Sequence, residues 1–159
     1  MSRSAELVRR LIERRLTIAV AESLTGGLLV SELIATPGAS ETVLGGVVAY
    51  NTELKQTLLG VDAGILNVHG PVHPDVAAQM AARVRDALAV GGVSADVGVA
   101  TTGVAGPDPQ DGHPPGEVYV AVAINSDVRV TALTLQGDRA SIRRRAMEAA
   151  VDAVLERLA

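Results

Sequence analysis

Lys55 is the only lysine in a chain of 159 residues; the other 13 of its 14 basic side chains are arginine. Arginine carries charge, pairs with ions and grips phosphate, but it keeps its proton in a protein. Lysine releases its proton once the ammonium is desolvated or set beside another cation, and the free amine is then a general base. Histidines apart, Lys55 is therefore the one basic residue able to move a proton at neutral pH. It stands in the segment Tyr50-Asn51-Thr52-Glu53-Leu54-Lys55. The plain alternative is a single surface lysine left in an arginine-rich chain.

A base needs a group to deprotonate, and Ser23 offers one. In Glu22-Ser23-Leu24-Thr25-Gly26-Gly27 it follows a short apolar run and precedes a glycine-opened helix. A serine on so sharp a turn has its hydroxyl close to backbone N–H groups at a helix start, which would form an oxyanion hole. The competing role is structural, because Ser and Thr are strongly preferred as helix N-caps and either Ser23 or Thr25 would serve. No Ser-His-Asp set is apparent: His69, His73 and His113 fall in loop-like or helix-starting stretches. A neutral Lys55 would take the hydroxyl proton instead, as in serine–lysine hydrolases. Tyr50 would relay a proton or orient the amine; its other role is packing at a strand end.

Two further segments suit an anionic ligand. Thr102-Gly103-Val104-Ala105-Gly106-Pro107 leaves backbone N–H groups free of side-chain obstruction, as an anion cradle requires. It is neither a P-loop nor a dinucleotide fingerprint, and its glycines would also serve simply to make a turn. Gly137-Asp138-Arg139 opens the last helix, where Arg139 would hold a phosphate or carboxylate bidentately. Arg143, Arg144 and Arg145 read as solvated helix face. His69 and His73 have i, i+4 spacing, but Gly70-Pro71 between them breaks a helix, so no metal site is expected.

These groups must be placed by a scaffold. Apolar residues recur at helical spacing over 5–16, and 17–21 reads as a buried strand. Residues 28–35 form a helix, 45–50 a strand, and 52–59 a short helix. A longer helix starts at His73-Pro74-Asp75, with Val76, Met80, Val84 and Leu88 as its buried stripe. Residues 96–100 make a third strand and 103–116 a Gly/Pro/Asp loop. Segments 118–124 and 128–135 pair as an antiparallel hairpin, and a C-terminal helix opens near Asp138. Helices alternating with apolar strands predict an α/β fold: a three-layer α/β/α sandwich whose mixed, mainly parallel sheet ends in a hairpin. Three predicted strands end in polar motifs, and open α/β sheets bind ligands beyond the carboxyl ends of their strands.

Composition limits the alternatives. The length suits one domain spanning 1–159. Lacking Cys, the chain has no disulfide, thiol nucleophile or thiolate metal site. The net charge of −4 and the absence of Phe and Trp argue against a nucleic-acid partner. No apolar run reaches membrane-spanning length and residues 1–16 are unlike a signal peptide, so no membrane partner and a cytoplasmic location are expected.

Taken in order, Ala21-Glu22-Ser23-Leu24-Thr25-Gly26-Gly27, Pro37-Gly38-Ala39-Ser40, Gly46-Val47-Val48-Ala49-Tyr50-Asn51 with Lys55, His69-Gly70, Thr102-Gly103-Val104-Ala105-Gly106-Pro107, Pro115-Gly116 and Gly137-Asp138-Arg139 resemble the CinA C-terminal domain family. The resemblance runs from about residue 5 to 157, with Leu24 and Ala39 departing from the residues of some relatives. It implies a serine amidohydrolase that converts nicotinamide mononucleotide to nicotinate mononucleotide and ammonia, with no metal or other cofactor. By motif, Ser23 would be the nucleophile, Lys55 its base and Tyr50 an assistant. Thr25, Gly26, Thr102, Gly103, Gly106 and Arg139 would contact substrate. Ser40 falls on a family serine associated with the site and stands as substrate contact and alternative nucleophile. The resemblance also implies a homodimer or higher homo-oligomer, here in a form without the fused domain that many relatives carry. A non-catalytic nucleotide-binding module with a regulatory or competence-related role is the alternative.

Overall fold

A computed structural model describes all residues, 1–159. The chain runs α1 (Arg3–Arg14), β1 (Ile18–Glu22), α2 (Leu28–Ile34), β2 (Val43–Val48), α3 (Thr52–Thr57), α4 (Ala63–His69), α5 (Pro74–Ala87), β3 (Val97–Gly103), β4 (Glu117–Ile124), β5 (Asp127–Thr134) and α6 (Arg139–Arg157). The five strands form one sheet in the order β2-β1-β3-β4-β5. β1 pairs in parallel with β2 and β3, whereas β4 is antiparallel to both β3 and β5. Only β4 therefore runs against the other four strands. Helices cover both faces, giving the expected three-layer α/β/α sandwich.

The two faces differ because the strands alternate branched and small side chains. Ile18, Val20, Val97, Val99, Val118, Val120 and Val122 point into one core, packed under α1, α2 and α6. Ala19, Ala21, Ala100, Ala121 and Ala123 point into the other, against α5. β-branched residues fill the space under three helices, while the alanine face lets a single helix approach closely. At Gly98 the approach is extreme: a Cβ there would lie 1.9 Å from the Ala81 carbonyl oxygen in α5.

Sequence patterning finds ten of the elements, with shifts that matter. β2 begins at Val43 and ends at Val48, so Tyr50 lies beyond the strand rather than at its last position. β3 continues through Thr101, Thr102 and Gly103, which pair with Val120, Tyr119 and Val118 of β4. Their polar types suggest a loop, but antiparallel pairing carries the strand on. The helix α4 has no counterpart in the sequence reading. It is short, carries Gly64 in its first turn, and is started by Asp62, whose carboxylate accepts from Ile65 N–H at 3.0 Å. No helix is long and apolar enough to cross a membrane.

Candidate active site

Three strand ends converge, as open α/β topology predicts. Ser23 follows β1 directly, Ala49 and Tyr50 follow β2, and Thr101 to Gly103 close β3. The first turn of α3, started by Asn51, whose side chain accepts from Glu53 N–H, carries Lys55 back over the sheet. Lys55 is fully buried, the largest such side chain in the protein.

The surroundings of the Lys55 amine define its protonation chemistry. Nζ lies 2.9 Å from Ser23 Oγ, 2.7 Å from the Ala49 carbonyl oxygen and 3.3 Å from that of Tyr50. A neutral amine has two N–H donors and one lone pair. The two carbonyls can only accept, so they take the two N–H bonds and the lone pair is left facing the serine hydroxyl. No carboxylate pairs with this amine, and burial lowers its pKa from the usual 10.5 to about 8. Desolvation opposes the charged form, and no carboxylate offsets it.

Glu22 explains why Ser23 is available. Its buried carboxylate accepts from Leu29 N–H at 2.9 Å and Val30 N–H at 3.1 Å, capping α2 from the strand. Neither Ser23 nor Thr25 caps this helix, as Gly27 occupies the cap position without a side-chain bond. Sequence reasoning missed this role for Glu22, which stands six residues ahead of the helix start. Glu22→Ala leaves one buried and one part-buried N–H donor unmatched, and urea unfolding should show a loss of about 2 kcal/mol.

A pocket of about 150 Å³ opens above Ser23 and Lys55, lined also by Tyr50, Pro71, Thr102 and the segment Gly103 to Gly106. Asp108, Gln110 and Arg139 complete its wall. Thr102 is buried, and its hydroxyl donates to the Pro71 carbonyl at 2.7 Å, fixing one side. Arg139 stands at the exposed mouth, donating to the Gly106 carbonyl at 2.6 Å and to Tyr50 Oη at 3.2 Å. It is presented by the first turn of α6, whose cap Asp138 accepts from Ser141 N–H at 2.9 Å. That bond holds the Asp138 carboxyl below the usual carboxylate range. At Gly106 (φ +86°) a Cβ would meet Pro115 Cβ at 2.9 Å, so the loop closes only with glycine there.

The structure thus brings Ser23, Lys55, Tyr50, Thr102, Gly103, Gly106 and Arg139 together, and leaves out three residues read as substrate contacts. The Thr25 side chain lies behind the nucleophile, its hydroxyl bonded to that of Thr101 at 2.8 Å, so that only its backbone N–H is left unpaired. Gly26 turns the chain at φ +57° and does not line the pocket. Ser40 sits in a 3₁₀ turn, Ala39–Glu41, that leads into the amino end of β2, at the other end of the sheet from Ser23. Within one chain it is out of reach of Lys55. Pro71, Val72, Asp108 and Gln110, which no sequence motif singles out, also line the pocket. Arg143, read as solvated, instead reaches inward to the Leu24 and Thr25 carbonyls. His69 and His73 stack ring on ring with centroids 4.1 Å apart, and His73 Nδ1 accepts from Asp75 N–H as the cap of α5. No group of three or more His, Cys, Asp or Glu side chains is placed to hold a metal ion. A larger groove of about 710 Å³, between α1, α2 and α6, contains none of the catalytic candidates.

Residues 1–158 match the family model described as the CinA C-terminal domain. A CinA-like protein of Frankia casuarinae is 46% identical over 149 residues, which cover 94% of this chain and 33% of that protein. A CinA-like protein of Gemmatimonas aurantiaca is 46% identical over 140 residues, 87% of this chain and 32% of the relative. The chain spans about a third of the length of the curated relatives it matches. Among solved structures, a CinA superfamily protein from Escherichia coli is 30% identical with a TM-score of 0.89, covering 96% of this chain and 87% of that one. A competence or damage-inducible protein from Enterobacter asburiae is 28% identical with a TM-score of 0.91 over the full length of both.

Proposed function

The chain belongs to the CinA C-terminal domain family, and from that membership together with the pocket we propose that it is a serine–lysine amidohydrolase acting on nicotinamide mononucleotide. The observation that carries this reading is the buried Lys55 amine 2.9 Å from the Ser23 hydroxyl, with both its N–H groups taken by carbonyls. Ser23 Oγ attacks the carboxamide carbon while its proton passes to Lys55 Nζ. The tetrahedral intermediate collapses as the Lys55 ammonium returns the proton to the departing nitrogen, releasing ammonia. Water, deprotonated by Lys55, then cleaves the ester on Ser23 and yields the carboxylate product. In this reading the pocket takes the carboxamide ring, and Arg139 with the loop Gly103 to Gly106, which line the pocket, bind the ribose phosphate.

Purified protein given nicotinamide mononucleotide should release ammonia. Its kcat/KM should rise about tenfold per pH unit from pH 6 and level off above about 8, as Lys55 loses its proton. A profile flat from pH 6 to 9 rules out the lysine base. Nucleotide binding by a folded protein that yields no ammonia favours the non-catalytic module and overturns the amidase reading.

A further inference from the structure

The amides beside Ser23 are arranged in an unexpected way. The first N–H groups of α2 are already used: Leu28 donates to the Thr25 carbonyl at 3.0 Å, and Leu29 and Val30 donate to Glu22. Helix-start donors therefore have nothing left for a reacting oxygen. The preceding turn does. Leu24 N–H and Thr25 N–H have no acceptor within the protein, although the two residues are only 4% and 0% exposed. Buried backbone donors without partners are rare, and two in succession after a candidate nucleophile point to a ligand atom.

The orientation of these amides is set from outside the pocket. In a trans peptide a carbonyl and the N–H that follows it point in opposite directions. The Ser23 carbonyl is tied inside the turn to Gly26 N–H at 3.1 Å, which turns Leu24 N–H outward. Arg143 Nε donates to the Leu24 carbonyl at 2.9 Å, drawing it toward α6, and so turns Thr25 N–H away from α6. Arg143 Nη2 also donates to the Thr25 carbonyl at 3.3 Å. Arg143 lines the groove between α1, α2 and α6 and not the catalytic pocket. Its planar fork spans two successive carbonyls, a geometry that a lysine ammonium does not reproduce.

We propose that Arg143 is a positioning residue of the reaction, holding the Leu24–Thr25 turn so that these two N–H groups receive the oxyanion formed when Ser23 attacks. The inference rests on the amidohydrolase reading above. As the bond from Ser23 Oγ to the acyl carbon forms, the carbonyl π pair moves onto oxygen, where the two amides stabilise it. The pair returns when the C–N bond breaks and ammonia leaves with the proton from Lys55. Without Arg143 the Leu24–Thr25 peptide is free to rotate, turning a carbonyl oxygen toward the place where negative charge develops.

The test compares Arg143→Ala, Arg143→Lys and the exposed control Arg144→Ala by ammonia release from nicotinamide mononucleotide, with thermal melts of each. A fluorophosphonate, whose P=O oxygen takes the place of the oxyanion, reports the labelling rate of Ser23. Arg143→Ala should lose roughly 10²-fold in kcat and in labelling rate, with KM changed by less than about threefold. Arg143→Lys should recover only part, millimolar methylguanidinium should raise kcat of Arg143→Ala but not of the parent, and Arg144→Ala should match the parent. An active parent with an equally active Arg143→Ala overturns the inference alone. A loss that follows the fall in melting temperature and is not rescued makes Arg143 structural and also overturns it. A parent that releases no ammonia and leaves Ser23 unlabelled overturns the amidohydrolase reading and this inference with it.

Discussion

Lys55→Met is expected to lower kcat/KM for amide hydrolysis by roughly 10³-fold or more, as should Ser23→Ala, while changing stability in a direction that depends on pH. Methionine fills a similar volume but cannot accept a proton. The stability effect follows from the buried amine, whose pKa is about 8 in the folded chain against 10.5 for the free side chain. Between these values the unfolded chain holds a proton that the folded chain has released, so parent stability rises with pH across that window. Below about pH 8 both states are protonated, and the full cost of burying an ammonium, on the order of 3 kcal/mol, is present. The variant has no such cost but leaves the Ala49 and Tyr50 carbonyls without their donor. Urea unfolding at pH 7 and at pH 10 or above measures the balance. The difference between the two proteins should move in the parent's favour by about 3 kcal/mol over that range. A difference that stays constant with pH would show that Lys55 carries its proton normally in the fold.

Much of this site was legible because its chemistry concentrates in rare residue types. One lysine among arginines, and glycine-rich segments at expected strand ends, point to the end of the sheet where Ser23, Lys55 and Thr102 meet. What stayed hidden depends on direction rather than type. Arg143, Arg144 and Arg145 are identical in sequence context, yet only Arg143 reaches the Leu24 and Thr25 carbonyls. A 100° step per residue around α6 separates them, and nothing in the chain itself says which step faces α2. Ser40 was misplaced for a related reason. Ser40 necessarily leads into the amino end of β2, but strand pairing is not readable from the motif, and it is the parallel pairing of β1 with β2 that puts the start of β2 far from Ser23. The Glu22 cap was overlooked because its two acceptors serve N–H groups seven and eight residues ahead, beyond the range of local capping patterns. Strand order was unreadable too, since the alternation of Val and Ala marks two faces without ranking neighbours.

That alternation leads to the other large expected effect, at Gly98. The β3 segment Val97-Gly98-Val99-Ala100 directs its branched side chains toward α6 and its small ones toward α5. A Cβ on Gly98 would fall 1.9 Å from the Ala81 carbonyl oxygen, with Arg85 Cγ at 2.8 Å. The arginine can move; the carbonyl belongs to the backbone of a helix packed across β3, β4 and β1. No trimming of a neighbouring side chain relieves that contact, so α5 must shift as a unit or β3 must bend. Gly98→Ala should therefore cost about 3 kcal/mol, at the upper end of what overpacking one methyl group costs. Gly91 is the informative comparison, because a Cβ there meets nothing within 4 Å and only its φ of +59° opposes substitution. Gly91→Ala should lose about 1 kcal/mol. The loss at Gly98 should reach the candidate active site as well, because β3 runs on through Thr101 and Thr102. Thr101 bonds Ser23 N–H through its carbonyl at 3.1 Å and Thr25 through its hydroxyl, and Thr102 holds Pro71. Ammonia release should fall in Gly98→Ala even at temperatures where the protein remains folded, and stay at the parent level in Gly91→Ala. Equal stability of the two variants would mean that the α5 face is loosely packed, and that the alanine stripe along the strands does not set the helix distance.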